Sequence, residues 1–353
     1  MLFDSVISAH YSPSDFPALN AQCETWAKTR PLAGMKIVDA TPVFRNTLTK
    51  WRALIAAGAE LSVGVTELFP HAPDVRKYLE SEGVPVVRDD GAKFDADLVL
   101  DNAGAFAAWR ARIGRVELTR SGAEKYAGAA EPVFFADGGR IKRIETCLGT
   151  GEGYFRAMAA RGFGDWAGRN LLVFGSGKVG SGLVFYAKKK GARVAVVTDP
   201  ATATPLVRRL ADAIVDFRDE AGVLAAVGDA FAVVSATGVR GAHDRGNLPD
   251  ALTRSRALLA NMGVEDEFGP RVPAERVLGG KKSLNFFLDE PTHLRYIDAT
   301  LALHNAGALF LAERAGTLPP GLIFPPAEIE DEILRVTRSR GVIADEMSVL
   351  SEL

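Results

Sequence analysis

One segment limits the fold of this chain more than any other: a short apolar run that leads into a glycine-rich turn and a helix. The run Leu171 to Phe174 is followed by Gly175, Gly177 and Gly180 in G-x-G-x-x-G spacing, and a second apolar run, Val194 to Val197, precedes Asp199. The first glycine permits a tight turn, the second lets a phosphate approach the backbone, and the third lets helix and strand pack closely. The segment predicts dinucleotide binding. An ordinary glycine-rich turn, or a Rossmann fold without its cofactor, is the alternative.

The cofactor is expected at the turn, at the helix N-terminus and at the ends of neighbouring strands. Asp199 can accept hydrogen bonds from ribose hydroxyls and repels a 2′-phosphate. No arginine follows it directly, so NAD is expected before NADP, although Asp199 and Pro200 also fit a plain turn. The predicted cofactor-binding residues are Gly175, Ser176, Gly177, Lys178, Val179, Gly180, Thr198, Asp199, Thr237, Gly238, Asn261 and Gly263.

Apolar runs alternate with helix-like segments along most of the chain, which is typical of parallel α/β sheets. A length of 353 residues favours two domains. The predicted fold class is therefore α/β, with a doubly wound Rossmann domain at residues 151–315 and a smaller parallel α/β substrate domain at residues 1–150. Residues 115–150 have a less regular pattern, and Ser283 to Phe286 is predicted to be a strand.

Composition excludes several classes of protein. The formal net charge of −2 gives no sign of nucleic-acid or anionic-membrane binding. The two cysteines, far apart in sequence, fit a reducing compartment, and no signal peptide or membrane span is recognisable, so a cytoplasmic protein is expected. The sequence contains no H-x-x-x-H or paired C-x-x-C motif, so no metal site is predicted.

Several motifs resemble those of the S-adenosylhomocysteine hydrolase family. They are Gly175 to Gly182 with Gly191 to Val194, Ser235 to Gly238, Asn261 to Gly263, and Ser283 to Asn285. The resemblance implies a tightly held NAD that oxidises the 3′-hydroxyl of a nucleoside and is later restored. It also implies a substrate domain that is completed by residues 316–353, and a homodimer or larger homo-oligomer.

Other positions depart from the family pattern. No histidine occurs near Asp39, Val264 stands where the family has a histidine, and a D-D-G-G motif is replaced by Asp101 to Gly104. The predicted function is therefore an NAD-dependent oxidoreductase of this hydrolase-like group that transfers hydride at a carbinol or related carbon of a small polar metabolite. The alternatives are an NAD-using hydrolase or lyase acting on a nucleoside thioether, and a non-catalytic NAD-binding regulator.

The candidate catalytic residues follow from the resemblance and from positions at strand ends: His293, Asp101, Lys142, Glu145 and Asn285. His293 is the best histidine for general acid–base work, with a structural loop histidine as the alternative. Lys142 beside a carboxylate could abstract a proton, or it could belong to a solvated basic face. His10, His71 and His243 are predicted to lie at the surface.

Overall fold

The chain forms two units, each built around its own parallel β-sheet. The computed structural model describes residues 1–89 and 95–353. The first unit contains Met1–Lys142 and Leu294–Asp345, and the second contains Arg143–His293 and Glu346–Leu353. This division differs from the predicted boundaries, since residues 294–313 belong to the first unit and the last eight residues to the second.

The strands of the described residues are, in chain order, β1 (Lys36–Asp39), β2 (Glu60–Val65), β3 (Val86–Arg88), β4 (Asp95–Asp101), β5 (Arg110–Glu117), β6 (Pro132–Phe135), β7 (Asn170–Phe174), β8 (Arg193–Thr198), β9 (Ala213–Asp216), β10 (Ala232–Ser235), β11 (Leu258–Asn261), β12 (Val277–Ser283) and β13 (Gly321–Ile323). The α-helices are α1 (Asp4–His10), α2 (Pro17–Thr29), α3 (Thr47–Ala56), α4 (Pro73–Ser81), α5 (Arg120–Lys125), α6 (Thr150–Ala159), α7 (Lys178–Lys189), α8 (Pro205–Leu210), α9 (Glu220–Asp229), α10 (Leu248–Arg254), α11 (Leu294–Glu313) and α12 (Ala327–Arg340).

The sheet of the first unit has the order β13-β6-β5-β4-β1-β2-β3. Strands β1 and β4 at its centre are buried along most of their length, as expected of parallel strands with both faces covered. Helix α11 belongs to this unit because most of its side chains are buried there and because Asp298 caps α2. The Asp298 carboxylate accepts hydrogen bonds from Ala18 N at 2.9 Å and Leu19 N at 3.0 Å, in the first turn of α2.

The second unit has the order β12-β11-β10-β7-β8-β9. Read from β9, this is the 3-2-1-4-5-6 order of a Rossmann sheet, in which the order of the parallel strands reverses between the first and the fourth. The predicted α/β class with two parallel sheets is confirmed. The substrate domain was predicted to be the smaller of the two, but the sheet of the first unit has seven strands and that of the second has six.

Two local predictions were wrong. Residues 115–150 are more regular than expected, since they include the end of β5, then α5 and β6. The strand predicted at 283–286 lies earlier, as β12, and Leu284–Phe287 is a 3-10 turn. Strand β12 escaped the sequence pattern because positive φ angles at Gly279 (71°), Gly280 (60°) and Lys281 (70°) interrupt its extended backbone.

Candidate functional site

The glycine-rich turn forms a cradle at the end of β7. Gly175 has a φ of 99°, and a Cβ there would lie 2.4 Å from Ala236 O, so only glycine fits. At Gly177 a Cβ would meet open space, with no atom within 4 Å. At Gly180 a Cβ would lie 2.0 Å from Gly175 O, because α7 packs directly on the turn. The cradle is therefore tight against the protein on two sides and open at Gly177.

The open side of the cradle faces the first turn of α7. Ser181 N donates to Gly177 O at 2.8 Å, which closes that turn. The N–H groups of Lys178, Val179 and Gly180 precede this bond and are directed to acceptors beyond the helix N-terminus. Together with the positive end of the helix dipole, they suit a pyrophosphate. These residues can hold a dinucleotide.

Thr198 and Asp199 lie at the end of β8, beside the cradle. Ser176 Oγ and Thr198 Oγ1 are hydrogen-bonded at 2.8 Å. Asp199 Oδ1 accepts from Ala201 N at 2.9 Å and forms an ion pair with Arg218 Nη2 at 2.8 Å. No sequence pattern indicated Arg218, which follows the next strand.

A cleft of about 520 Å³ opens between the cradle and these strand ends, entirely within the second unit. Its volume is in the range typical of cofactor and ligand sites. It is lined by Phe174, Gly175, Ser176, Gly177, Val197, Thr198, Asp199, Thr202, Thr204, Phe217, Ala236, Thr237, Val239, Ala242, His243 and Arg245.

A buried carboxylate holds the wall of the cleft at Thr237. Glu267 accepts hydrogen bonds from Thr237 N at 2.8 Å, Thr237 Oγ1 at 2.8 Å and Gly238 N at 2.7 Å, and also from Ser235 Oγ. The N–H groups of Thr237 and Gly238 are therefore engaged by the protein. These two predicted residues shape the cleft through Glu267, which the sequence analysis missed because its burial depends on the contact between two distant loops.

His243 is 1% exposed, so the prediction that it lies at the surface was wrong. Its Nε2 lies 2.6 Å from Ser235 Oγ, and its ring packs edge-on against Phe174 and Phe268. Burial lowers the pKa of His243 to about 3, so the imidazole is neutral. His10 and His71 are exposed, as predicted.

Asn261 and Gly263 form the turn after β11. Asn261 Nδ2 donates to Glu265 O and Lys281 O, each at 2.7 Å, and Gly263 N donates to Asn261 Oδ1 at 3.0 Å. The Asn261 amide thus fixes the backbone of this turn, and neither residue lines the cleft described above.

His293 and Asn285 both lie near the end of the segment Arg143–His293 of the second unit. His293 Nδ1 is 3.7 Å from Glu152 Oε2. The Asn285 amide is buried, and its Oδ1 accepts from Ser283 Oγ at 2.9 Å. Burial raises the pKa of nearby Glu290 to about 7. Glu145 lies on a π-helical turn, Ile144–Gly149, in the same unit.

Asp101 and Lys142 belong to the first unit, so the predicted catalytic set is not assembled within one unit. Asp101 is fully buried and accepts from Asn102 N at 2.8 Å, from Phe106 N at 3.0 Å and from Tyr126 Oη. Burial raises the pKa of Asp101. Lys142 is only 5% exposed, which excludes the solvated basic face considered for it.

A buried charged pair in the first unit was not predicted. Lys50 Nζ contacts Asp39 Oδ2, and both side chains are fully buried. Burial lowers the pKa of Lys50 well below its usual value. His304 is also fully buried, and its Nε2 lies 2.9 Å from Val116 O. Asp39, Lys50 and His304 are therefore all closed to solvent.

Within the described ranges, no three His, Cys, Asp or Glu side chains are grouped as they would be around a metal ion. The same part of the chain has no helix with the length and apolar character needed to cross a bilayer.

No protein-family model matches the chain. A curated relative, adenosylhomocysteinase of Thermotoga maritima, is 23% identical over 94% of this chain and 94% of its own length. The solved structure of a dipicolinate synthase subunit from Bacillus halodurans covers 79% of this chain and 98% of its own, with a TM-score of 0.51 and 13% identity. The first comparison confirms the predicted resemblance as a remote one along almost the whole chain, and the second supports the fold alone.

Proposed function

We propose that this chain is an NAD-dependent oxidoreductase of the adenosylhomocysteinase-like group, which transfers hydride at a carbinol or related carbon of a small polar metabolite. The observation that carries the proposal is the cradle at Gly177, which is open where a pyrophosphate needs room and faces the first turn of α7. Asp199 directly follows the adjacent strand β8, one residue after the position of the ribose-binding acid in the resembled family, and can accept hydrogen bonds from the ribose hydroxyls. The similarity to adenosylhomocysteinase over 94% of both chains supports the adenosylhomocysteinase-like group, without distinguishing net oxidation from internal use of NAD.

The chain's own groups have distinct tasks in this proposal. The N–H groups of Lys178, Val179 and Gly180 bind the pyrophosphate, and Asp199 accepts hydrogen bonds from the ribose. Bound NAD supplies a two-electron hydride acceptor. Glu267 does not touch the ligand and instead fixes the loop at Thr237, which keeps the cleft in shape.

Proton transfer is assigned to His293 within the same proposal. Its imidazole lies 3.7 Å from the Glu152 carboxylate, which can stabilise the imidazolium formed when the substrate hydroxyl loses its proton. The Asn285 amide, held by Ser283, would orient the hydroxyl. Asp101, Lys142 and Glu145 remain predicted catalytic residues. The Asp101 carboxylate already accepts hydrogen bonds from Tyr126 Oη and from Phe106 N.

A hydrolase or lyase that uses NAD internally is the second candidate. It is favoured by the end-to-end similarity to an adenosylhomocysteinase, in contrast to a similarity confined to the nucleotide-binding unit. Such an enzyme would return its cofactor to the oxidised state after each turnover. A non-catalytic NAD-binding regulator would bind nucleotide and show no turnover.

One experiment separates these functions. The purified protein is denatured, and any released nucleotide is identified by mass spectrometry together with its redox state. The native protein is then given a panel of small alcohols and nucleosides while the nicotinamide absorbance is followed. Accumulating NADH supports the oxidoreductase, and substrate conversion with tightly held NAD and no net reduction supports the hydrolase or lyase. If no nucleotide is released and calorimetry detects neither NAD nor NADP binding, the proposal is overturned.

The oligomeric state is a separate proposal. We expect a homodimer or larger homo-oligomer, by the resemblance described above. Sedimentation equilibrium of the purified chain tests this, and a monomer at micromolar concentration would contradict it.

A further inference from the structure

We propose that Arg218 determines cofactor choice through Asp199, and that Asp199 masks an arginine cluster able to bind the 2′-phosphate of NADP. The cluster consists of Arg208, Arg218 and Arg245. The inference rests on the proposed NAD site and adds the residues that decide its specificity.

The first observation is the way in which Asp199 is held. Its Oδ1 accepts from Ala201 N at 2.9 Å and from Arg218 Nη2 at 2.8 Å. Within residues 1–89 and 95–353 these side-chain contacts both fall on Oδ1, so Oδ2 keeps its capacity to accept from a ribose hydroxyl. Arg218 is itself fixed, because its Nε donates to Asp216 Oδ1 at 2.9 Å. Arg218 thus orients the carboxylate for the diol of NAD.

The second observation is the position of the other two arginines. Arg245 Nη2 donates to Phe217 O at 2.9 Å, and the guanidinium carbons of Arg245 and Arg218 lie 5.1 and 4.8 Å from the centre of the Phe217 ring. Arg208 donates to Ala201 O at 3.3 Å and to the carbonyl of Pro200, in the turn that follows Asp199. Carbonyl oxygens are neutral, so the charges of Arg208 and Arg245 are not cancelled by these bonds.

The balance of charge decides which cofactor fits. Arg218 pairs with two carboxylates, Asp199 and Asp216, and Arg245 lines the same end of the cleft as Asp199 and Phe217. A 2′-phosphate placed there would be repelled by Asp199, while the ribose diol of NAD is accepted by it. Without Asp199 this repulsion is removed, and Arg218 Nη2 is released to bind phosphate in the forked geometry that guanidinium favours. Sequence inspection could not reveal this, because Arg218 and Arg245 follow later strands.

The test measures dissociation constants of NAD and NADP by calorimetry for the full chain and four variants. In Asp199→Ala and Asp199→Asn we expect NAD to bind at least about tenfold more weakly and NADP at least about tenfold more tightly than in the parent protein. Adding Arg218→Ala to Asp199→Ala should abolish most of the gain for NADP. Asp250→Ala removes one carboxylate from an exposed ion pair on α10 in the same unit and should change neither constant.

The outcomes separate this inference from the proposed function. If the parent protein binds neither nucleotide, the proposed function fails and the inference with it. If the parent binds NAD but the folded Asp199 variants gain no affinity for NADP, or the double variant keeps the gain, the inference alone is overturned. A parent protein that prefers NADP would also overturn it, while leaving nucleotide binding intact. Thermal melts of all variants verify that each is folded.

Discussion

Substitution of Gly177 by valine should weaken nucleotide binding by at least about a hundredfold and leave the fold unchanged. The backbone at Gly177 has φ −71° and ψ −165°, which any residue can adopt. A Cβ there meets no atom within 4 Å. The free energy of unfolding should therefore stay within about 0.5 kcal/mol of the parent value, as for substitutions that disturb no packing.

The loss of affinity follows from the space that the new side chain takes. The pyrophosphate must approach Gly177 to reach the N–H groups of α7, and the valine methyl groups would hold it away. Losing two charge-assisted hydrogen bonds, at about 1.5–3 kcal/mol each, weakens binding by about 3–6 kcal/mol. This corresponds to about 10²–10⁴ in the dissociation constant of NAD.

Calorimetry with NAD and thermal unfolding of the same preparations provide the assay. Gly228→Val is the matched control, because Gly228 lies in α9 of the same unit and its Cβ would also meet open space. Gly180→Ala gives the opposite pattern: its Cβ would lie 2.0 Å from Gly175 O, so it should lower stability by about 1–3 kcal/mol. If Gly177→Val binds NAD as well as the parent chain does, the cradle is not the cofactor site. If it unfolds, the packing argument is wrong.

Three further outcomes are expected. Lys50→Met leaves the buried Asp39 carboxylate unpaired and should reduce the urea unfolding free energy by about 3–5 kcal/mol; a loss below about 1 kcal/mol would contradict the pairing. Burial raises the pKa of Asp298 to about 7 in the folded protein. The stability that this group contributes is therefore complete below its unfolded pKa near 4 and is lost as the pH rises through 7. The free energy of unfolding should fall by up to about 1.4 kcal/mol per pH unit in that window. Asp298→Asn should flatten this part of the stability–pH curve in urea titrations, and an unchanged slope would refute the assignment. Glu267→Gln replaces one of the two carboxylate oxygens with an amide nitrogen, so either Thr237 N or Gly238 N loses its acceptor, and NAD binding in calorimetry should weaken by about 1–3 kcal/mol; unchanged affinity would show that this loop does not shape the site.

Sequence reasoning located the features that depend on neighbouring residues. The turn at Gly175, the helix after it and the strand before Asp199 each follow from local backbone preferences and apolar spacing. Strand β12 was misplaced because the adjacent glycines Gly279 and Gly280, both with positive φ, are typical of a turn in sequence.

The contacts that complete the site depend on the folded topology. Arg218 reaches Asp199 from the following strand, and Glu267 reaches Thr237 across 30 residues. His243 looks like a surface histidine in sequence and becomes a wall of the cleft only when β10 and β11 lie side by side. The spacing of residues along the sequence does not indicate contacts between distant segments, so these residues could be identified only from the structure.

The Asp298 cap on α2 has a consequence for the order in which the chain folds during synthesis. Its two hydrogen-bond donors emerge from the ribosome about 280 residues before its carboxylate does. All six strands of the second unit have been synthesised by Ser283, before Asp298 appears. The inserted unit can therefore form its sheet while the unit that surrounds it in sequence still lacks α11 and β13. The N-terminal segment of this chain is made first and is completed last.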